Sequence, residues 1–220
     1  MTTTLITGAN RGIGLALAER LKAQNHTITA VCRKSSPALE ALGVRVVSGI
    51  DIGQDGAEQR LAELAGGQTY DWVIANAGVL QHERLDDLDF DSVKTQLEVN
   101  ALGPLRTVFA LLPCLREGGK IALITSRMGS IADNNSGSYY GYRMSKAALN
   151  AAGVSLALDL QPRGIAVALL HPGYVRTDMT ANQGSIAPHD AAAQLIERIE
   201  ALELKNSGTF WHANGEILPW

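Results

Sequence analysis

Thr3-Thr4-Leu5-Ile6-Thr7-Gly8-Ala9-Asn10-Arg11-Gly12-Ile13-Gly14 opens the chain, and its reading decides the fold. A short apolar, β-branched run ends in a turn carrying three glycines and passes into residues 13–23, whose apolar spacing is helical. Such a strand-to-helix turn places unpaired backbone N–H groups and the positive helix end where a pyrophosphate can sit, and the missing side chains let it approach closely. The spacing here is Gly-x-x-x-Gly-x-Gly, a departure from the commonest dinucleotide fingerprint. Taken alone, the stretch also fits a tight strand-helix turn that holds no ligand.

Working outward, the same alternation repeats. Residues 3–7, 27–32, 44–48, 71–75, 120–125, 165–170 and 209–212 read as strands, and 13–23, 54–65, 90–115, 142–160 and 191–202 as helices. Strands too apolar to have a wet face, separated by helices, predict a parallel sheet covered on both sides. The expected fold is therefore α/β, a doubly wound sheet of about seven strands in one domain spanning 1–220. The stretch 177–189 has little periodicity and reads either as a lid over a site or as a surface connection. Asn214-Gly215 is a hairpin-turn dipeptide between Trp211 and Ile217.

Composition narrows the function. The 220 residues are 46% hydrophobic, and the net charge is -3 with the nineteen Lys and Arg scattered, so no nucleic-acid or anionic-membrane surface is expected. The first apolar run lies almost at Met1, which predicts no secretory leader, and no run approaches the roughly 20 residues that cross a bilayer. Cys32 and Cys114 are isolated thiols without metal or redox spacing, which suits a cytoplasmic location.

A second motif carries the chemistry. Tyr142 and Lys146 lie one helical turn apart in Tyr-Arg-Met-Ser-Lys, on the same helix face. A free phenol, with a pKa near 10, exchanges protons poorly near neutrality, so a neighbouring cation that stabilises the phenolate is physically required. Joined to the glycine turn, this pair points to dinucleotide-dependent redox chemistry. The end of the second strand selects the nicotinamide cofactor, because an acid there binds the ribose 2′-hydroxyl and repels a 2′-phosphate. Here that strand ends in Cys32-Arg33-Lys34, and Arg11 sits in the glycine turn, so two guanidinium groups are placed to clamp a phosphate. The reading is NADP(H), although Arg33 and Lys34 also fit an ordinary solvated strand end.

With Thr7-Gly8 to Gly14, Asn76-Ala77-Gly78, Asn100, Ser126, Tyr142 to Lys146, Pro172-Gly173 and the closing Leu218-Pro219-Trp220 in that order, the chain resembles a classical short-chain dehydrogenase/reductase from end to end. Within that group it is similar to the small sniffer- and C-factor-like carbonyl reductases. The resemblance implies a Rossmann-type fold and an NADPH-dependent oxidoreductase that reduces an aldehyde or ketone to an alcohol by hydride transfer. It makes Tyr142 the general acid/base, Lys146 its cation and the partner of the nicotinamide ribose, and Ser126 a hydrogen-bond donor to the substrate oxygen. Asn100 would interrupt its helix and support a water chain feeding Lys146. Gly8, Asn10, Arg11, Gly12, Ile13 and Gly14 would hold the pyrophosphate end, Arg33 the 2′-phosphate, Asp51 the adenine, and Asn76, Ala77 and Gly78 the adenosine side. Pro172, Gly173, Val175 and Thr177 would orient the nicotinamide amide. His171 has no catalytic counterpart. The substrate would meet Ser126, Met128, Tyr139, Tyr142 and Trp211.

Some points stay open at this level. Ser126 lies sixteen residues before Tyr142, a little more than the family's interval, which leaves Ser130 as a rival, and Asp51 also fits a loop carboxylate. Tyr139 and Lys146 stand seven apart, the interval of the divergent enoyl reductases, but those have Met where this chain has Tyr142. Arg127 would favour a substrate carboxylate, whereas Leu80, Met128, Tyr139, Tyr140, Tyr174, Met179 and Trp211 suit a medium-sized apolar carbonyl. Intact Tyr142 and Lys146 rank catalysis above the alternative of an NADP(H)-binding sensor or signalling protein. The chain runs only about fifty residues beyond Pro172, too few for the substrate domain of nucleotide-sugar relatives. Apolar residues surround the axis of the 142–160 helix, which predicts a homodimer or homotetramer through it and 90–115.

Overall fold

The computed structural model describes residues 1–220. Seven parallel strands form one sheet in the order β3-β2-β1-β4-β5-β6-β7: β1 (Thr3–Thr7), β2 (Thr27–Val31), β3 (Arg45–Val47), β4 (Tyr70–Ala75), β5 (Leu115–Ile124), β6 (Ala166–His171) and β7 (Phe210–His212). The chain winds outward from β1 to β3, then returns to place β4 on the other side of β1. The carboxyl ends of β1 and β4 therefore flank a switch point, where α/β sheets open a crevice for ligands.

Alternation along the strands divides the apolar side chains between two layers. Ile6, Ile74, Ala122 and Ile124 face a core built with Leu17, Leu21, Leu195 and Ile199 of α1 (Gly12–Ala23) and α7 (Pro188–Glu200). Leu5, Val73, Ile121 and Leu123 face a second core with Leu61, Leu111, Leu149 and Leu160. These come from α3 (Ala57–Ala65), α5 (Gly103–Leu111) and α6 (Tyr140–Leu160). Burial on both faces explains why the strands read as continuous apolar runs.

Every expected strand exists within a few residues. Two helical expectations are corrected. A short α2 (Pro37–Ala41) was not foreseen; Ser36 accepts from the Leu39 amide and Pro37 sits in its first turn, a cap-and-proline start for a helix too short to show a period. The expected 90–115 helix is α4 (Phe90–Leu97), a π-helical turn (Glu98–Leu102) and α5, ending before Leu115 enters β5. The π-turn centres on Asn100, whose side chain leaves the helix to accept from the Val79 amide and donate to the Val79 carbonyl, both at 2.8 Å. The Asn214-Gly215 turn forms as expected: Gly215 has φ +99° and Trp211 pairs antiparallel with Ile217.

Candidate active site

A cleft of about 780 Å³ runs along the carboxyl ends of the central strands. At its phosphate end the β1–α1 turn is held by close packing of backbone. Gly8 has φ +67°, and a Cβ on it would lie 2.8 Å from the Ala77 Cα; a Cβ on Gly14 would lie 2.2 Å from the Gly8 carbonyl oxygen and 2.5 Å from Asn76 Nδ2. Asn76 stitches the switch point together: its Nδ2 donates to the carbonyls of Thr7 (3.1 Å) and Gly8 (3.2 Å), while the Thr7 hydroxyl accepts from the amides of Asn76 and Ala77. Arg11 precedes α1 in extended backbone and supplies no side-chain cap, so the first-turn N–H groups of α1 point into the cleft without an internal acceptor.

Farther along, Arg33, Lys34 and Asp51 line the same cleft, with Arg33 Nη1 3.7 Å from Asp51 Oδ2. Arg11 reaches across to Asp178 at 2.8 Å. That pair joins the glycine turn to the 177–189 stretch, whose Thr177 methyl would be 3.3 Å from a Cβ on Gly12. The stretch is therefore a wall over the cleft, stapled by the Thr180 hydroxyl to the Val175 carbonyl (2.6 Å).

At the opposite end Tyr142, Lys146, Ile124 and Thr125 close the cleft. Tyr142 is buried, and burial pushes its phenol up from the ordinary value, opposed by the neighbouring Ser126 hydroxyl. Lys146 Nζ donates to the Ile124 carbonyl at 2.8 Å and stands 5.8 Å from the Tyr142 ring centroid; burial brings its pKa down to about 8. Asn100 Nδ2 also donates to the Ser145 hydroxyl (3.0 Å), which donates to the Tyr142 carbonyl (2.8 Å). A Cβ on Gly78 would lie 3.1 Å from Asn100 Oδ1 and 3.7 Å from Lys146 Nζ, so Gly78 keeps that corner open. The Ser130 hydroxyl is buried in its own turn, accepting from the Asp133 amide; the Ser126 hydroxyl, also buried, accepts from the Met128 amide and neighbours the Tyr142 phenol. Of the two tyrosines spaced from Lys146, Tyr142 is the one whose ring lies beside its Nζ. Tyr139 packs its ring edge-on against His82, at 4.4 Å between centroids.

The residues fit a phosphorylated dinucleotide: a cradle that a Cβ would fill at Gly8 and Gly14, uncapped helix N–H groups behind it, and Arg11, Arg33 and Lys34 around the far end. Residues 2–186 match the family model for short chain dehydrogenase. The chain belongs to the short-chain dehydrogenase family. A 1-hydroxy-2-glutathionyl-2-methyl-3-butene dehydrogenase of Rhodococcus sp. (strain AD45) is 40% identical over all of both chains. Among solved structures, the carbonyl reductase Sniffer of D. melanogaster superposes with a TM-score of 0.91 at 29% identity, covering all of both chains. The NADPH-bound carbonyl reductase from chicken fatty liver superposes with a TM-score of 0.88 at 26% identity, covering 100% of this chain and 99% of the other.

Within this dehydrogenase fold the cleft gathers Gly8, Asn10, Arg11, Gly12, Ile13, Gly14, Arg33, Asp51, Asn76, Ala77, Gly78, Tyr142, Lys146, Pro172 and Thr177, and it does not include Gly173 or Val175. Val175 is buried and pairs with Ile186 to hold the wall. Ser126, Met128, Tyr139 and Trp211 lie outside the main cleft, and Trp211 leans on the first core. Arg127 binds Asp133 (2.7 Å) and Glu216 (3.2 Å), so its charge is already answered within the protein. Asp178 and the Asn76 ties were missed; Asp178 sits beside the expected Thr177 in a stretch with no periodic signal, and nothing in a lone Asn-Ala-Gly discloses its hydrogen bonds. No group of His, Cys, Asp and Glu is arranged to hold a metal, and no helix is long and apolar enough to cross a membrane.

Proposed function

We propose that this oxidoreductase is one NADP(H)-binding domain over residues 1–220 that interconverts an aldehyde or ketone and its alcohol, with Tyr142 as general acid/base. The carrying observation is the buried pair Tyr142 and Lys146 at one end of a cleft whose other end holds Arg11 and Arg33, with Ser126 buried beside the phenol just outside it. The nicotinamide, when bound, supplies or accepts hydride. Tyr142 delivers its proton to the carbonyl oxygen; burial alone holds that proton on the phenol, so its release needs the Ser126 hydroxyl and the Lys146 cation to stabilise the phenolate. Lys146, its Nζ 5.8 Å from the Tyr142 ring centroid, offers an ammonium to the phenolate left behind. Ser126 holds the oxygen as charge builds on it.

Arg33 and Arg11 are assigned to the 2′-phosphate, Asp51 to the adenine side, and Pro172 and Thr177 to the nicotinamide side. Met128 and Tyr139 are assigned to the substrate mouth. The glutathionyl alcohol in the Rhodococcus relative's name and the carbonyl reductases among the structural neighbours support this chemistry in both directions. The intact Tyr142–Lys146 pair favours catalysis over sensing. Free Cys32 and Cys114 suit a reducing cytoplasm, and exposed Phe109 on α5 with Met144 and Leu158 on α6 supports a homodimer or tetramer through these helices.

The deciding experiment follows NADPH absorbance with aldehydes, ketones and quinones, and NADP+ reduction with alcohols including a glutathionyl-substituted one, each repeated with NADH and with Tyr142→Phe. Turnover with NADPH that vanishes in the variant supports the reading. Tight NADPH binding without turnover on any panel member sinks it.

A further inference from the structure

Glu83 lies in the loop between β4 and α4 and is almost wholly buried, at 2% exposure, with no Lys, Arg or His within ion-pair distance. A carboxylate so placed is costly unless hydrogen bonds answer it. Here they come from two helices. The Ser92 hydroxyl (2.6 Å) and the Gln96 amide, both on α4, donate to Oε1, and the Gly141 N–H in the first turn of α6 donates to Oε2 at 3.3 Å. The backbone carbonyl of the same residue accepts from the Tyr139 amide at 2.9 Å.

Helix α6 needs this help. Its N-cap position is Tyr139, held at φ +54° with no side-chain cap, after Ser138 at φ +53°. The first N–H groups of a helix have no internal acceptor, and a bulky left-handed residue cannot supply one through its own side chain. Gly141 shows how close the seat is: a Cβ there would fall 2.6 Å from Gln96 Nε2 and 3.0 Å from Glu83 Oε1. The residue after this contact is Tyr142.

We propose that Glu83 is a positioning residue: a cap supplied from a distant loop that seats the first turn of α6 and so aims the Tyr142 hydroxyl. The inference rests on the proposed role of Tyr142. The negative charge complements the positive helix end, and the two-point grip on Tyr139 and Gly141 fixes both the height and the rotation of that turn. Gln96 is locked in turn, since its Oε1 accepts from the Gln81 amide at 2.9 Å. The carboxylate is thereby the hub joining the β4–α4 loop, α4 and α6.

The test uses Glu83→Gln, which keeps the shape but sets an amide against at least one of the donors, and Gly141→Ala, which pushes the turn off the carboxylate. Both should accelerate amide hydrogen exchange at 139–143 and lower kcat about 10- to 100-fold, the cost of a misplaced reacting group, while leaving NADPH affinity within about twofold. The double variant should lose little more than either single one, because both disturb one seat. Wild-type kcat in Glu83→Gln would overturn the proposal, as would a loss of kcat matched by loss of NADPH-binding stoichiometry, the sign of a merely structural residue. If Glu83→Gln does not fold, Gly141→Ala decides alone, and wild-type kcat in it refutes the seat. Failure of the Tyr142 assignment is separately visible: Tyr142→Phe would keep turning over NADPH, while the exchange measurement would still report whether the cap exists.

Discussion

The two ends of the cleft are built on opposite physical principles. At the phosphate end the shape is made by side chains that are missing, Gly8 and Gly14 packed against Ala77 and Asn76, and the charges of Arg11 and Arg33 stand in solvent beside Asp178 and Asp51. At the chemical end Tyr142 and Lys146 are buried, and both resist ionisation because water has been withdrawn. Exposed charges are screened and individually weak, so they select a ligand by degree; buried ones change what a side chain does. The difference suggests that binding and chemistry can be damaged separately.

The sharpest test of that separation is Tyr142→Phe, which should lower turnover about a thousandfold with NADPH affinity unchanged, measured by absorbance kinetics and fluorescence titration. A parallel loss of affinity would break the distinction. Next is Gly14→Ala, whose methyl must enter the space of the Gly8 carbonyl; it should lower unfolding stability by about 3 kcal/mol in urea and weaken NADPH binding together, since fold and cradle are one object there. Arg33→Ala should cut the preference for NADPH over NADH about tenfold, with the loss shrinking as salt rises.

The smallest expected effect is the most diagnostic. Lys146→Met should raise unfolding stability at pH 7 by about 1 kcal/mol, after the loss of the bond to the Ile124 carbonyl is counted. The sign follows from proton uptake. With a folded pKa of about 8 against 10.5, the unfolded lysine holds more protons between those values, so stability rises with pH across that window. The penalty on the wild type is fully present below pH 8 and fades toward 10.5, and the advantage of Lys146→Met should fade with it. Thermal melts from pH 7 to 10 check this; an advantage that grew with pH would contradict it.

Legibility followed range of interaction. The glycine turn and the Tyr142–Lys146 interval were readable because both lie within one or two helical turns, where spacing dictates geometry. Asn100 is a polar residue in an apolar helix, and the family resemblance implied that it interrupts that helix; that the break is a π-turn is set by the Val79 backbone it satisfies, twenty-one positions away. Arg127 suits a substrate carboxylate by residue type alone, but Asp133 and Glu216 already hold it. Glu83 carried no signal at all. A lone carboxylate in a loop looks solvated until α4 and α6 close over it.

By itself the sequence determined the sheet-and-helix alternation, the switch-point cradle and the spacing of the phenol and the lysine, since these depend on local periodicity and on which residues lack a side chain. Only the tertiary structure decided which serine meets Tyr142, which carboxylates answer the arginines and what seats α6. Those choices belong to groups brought together across dozens of positions, where burial, and not residue type, sets whether a charge is free, paired or held as a cap.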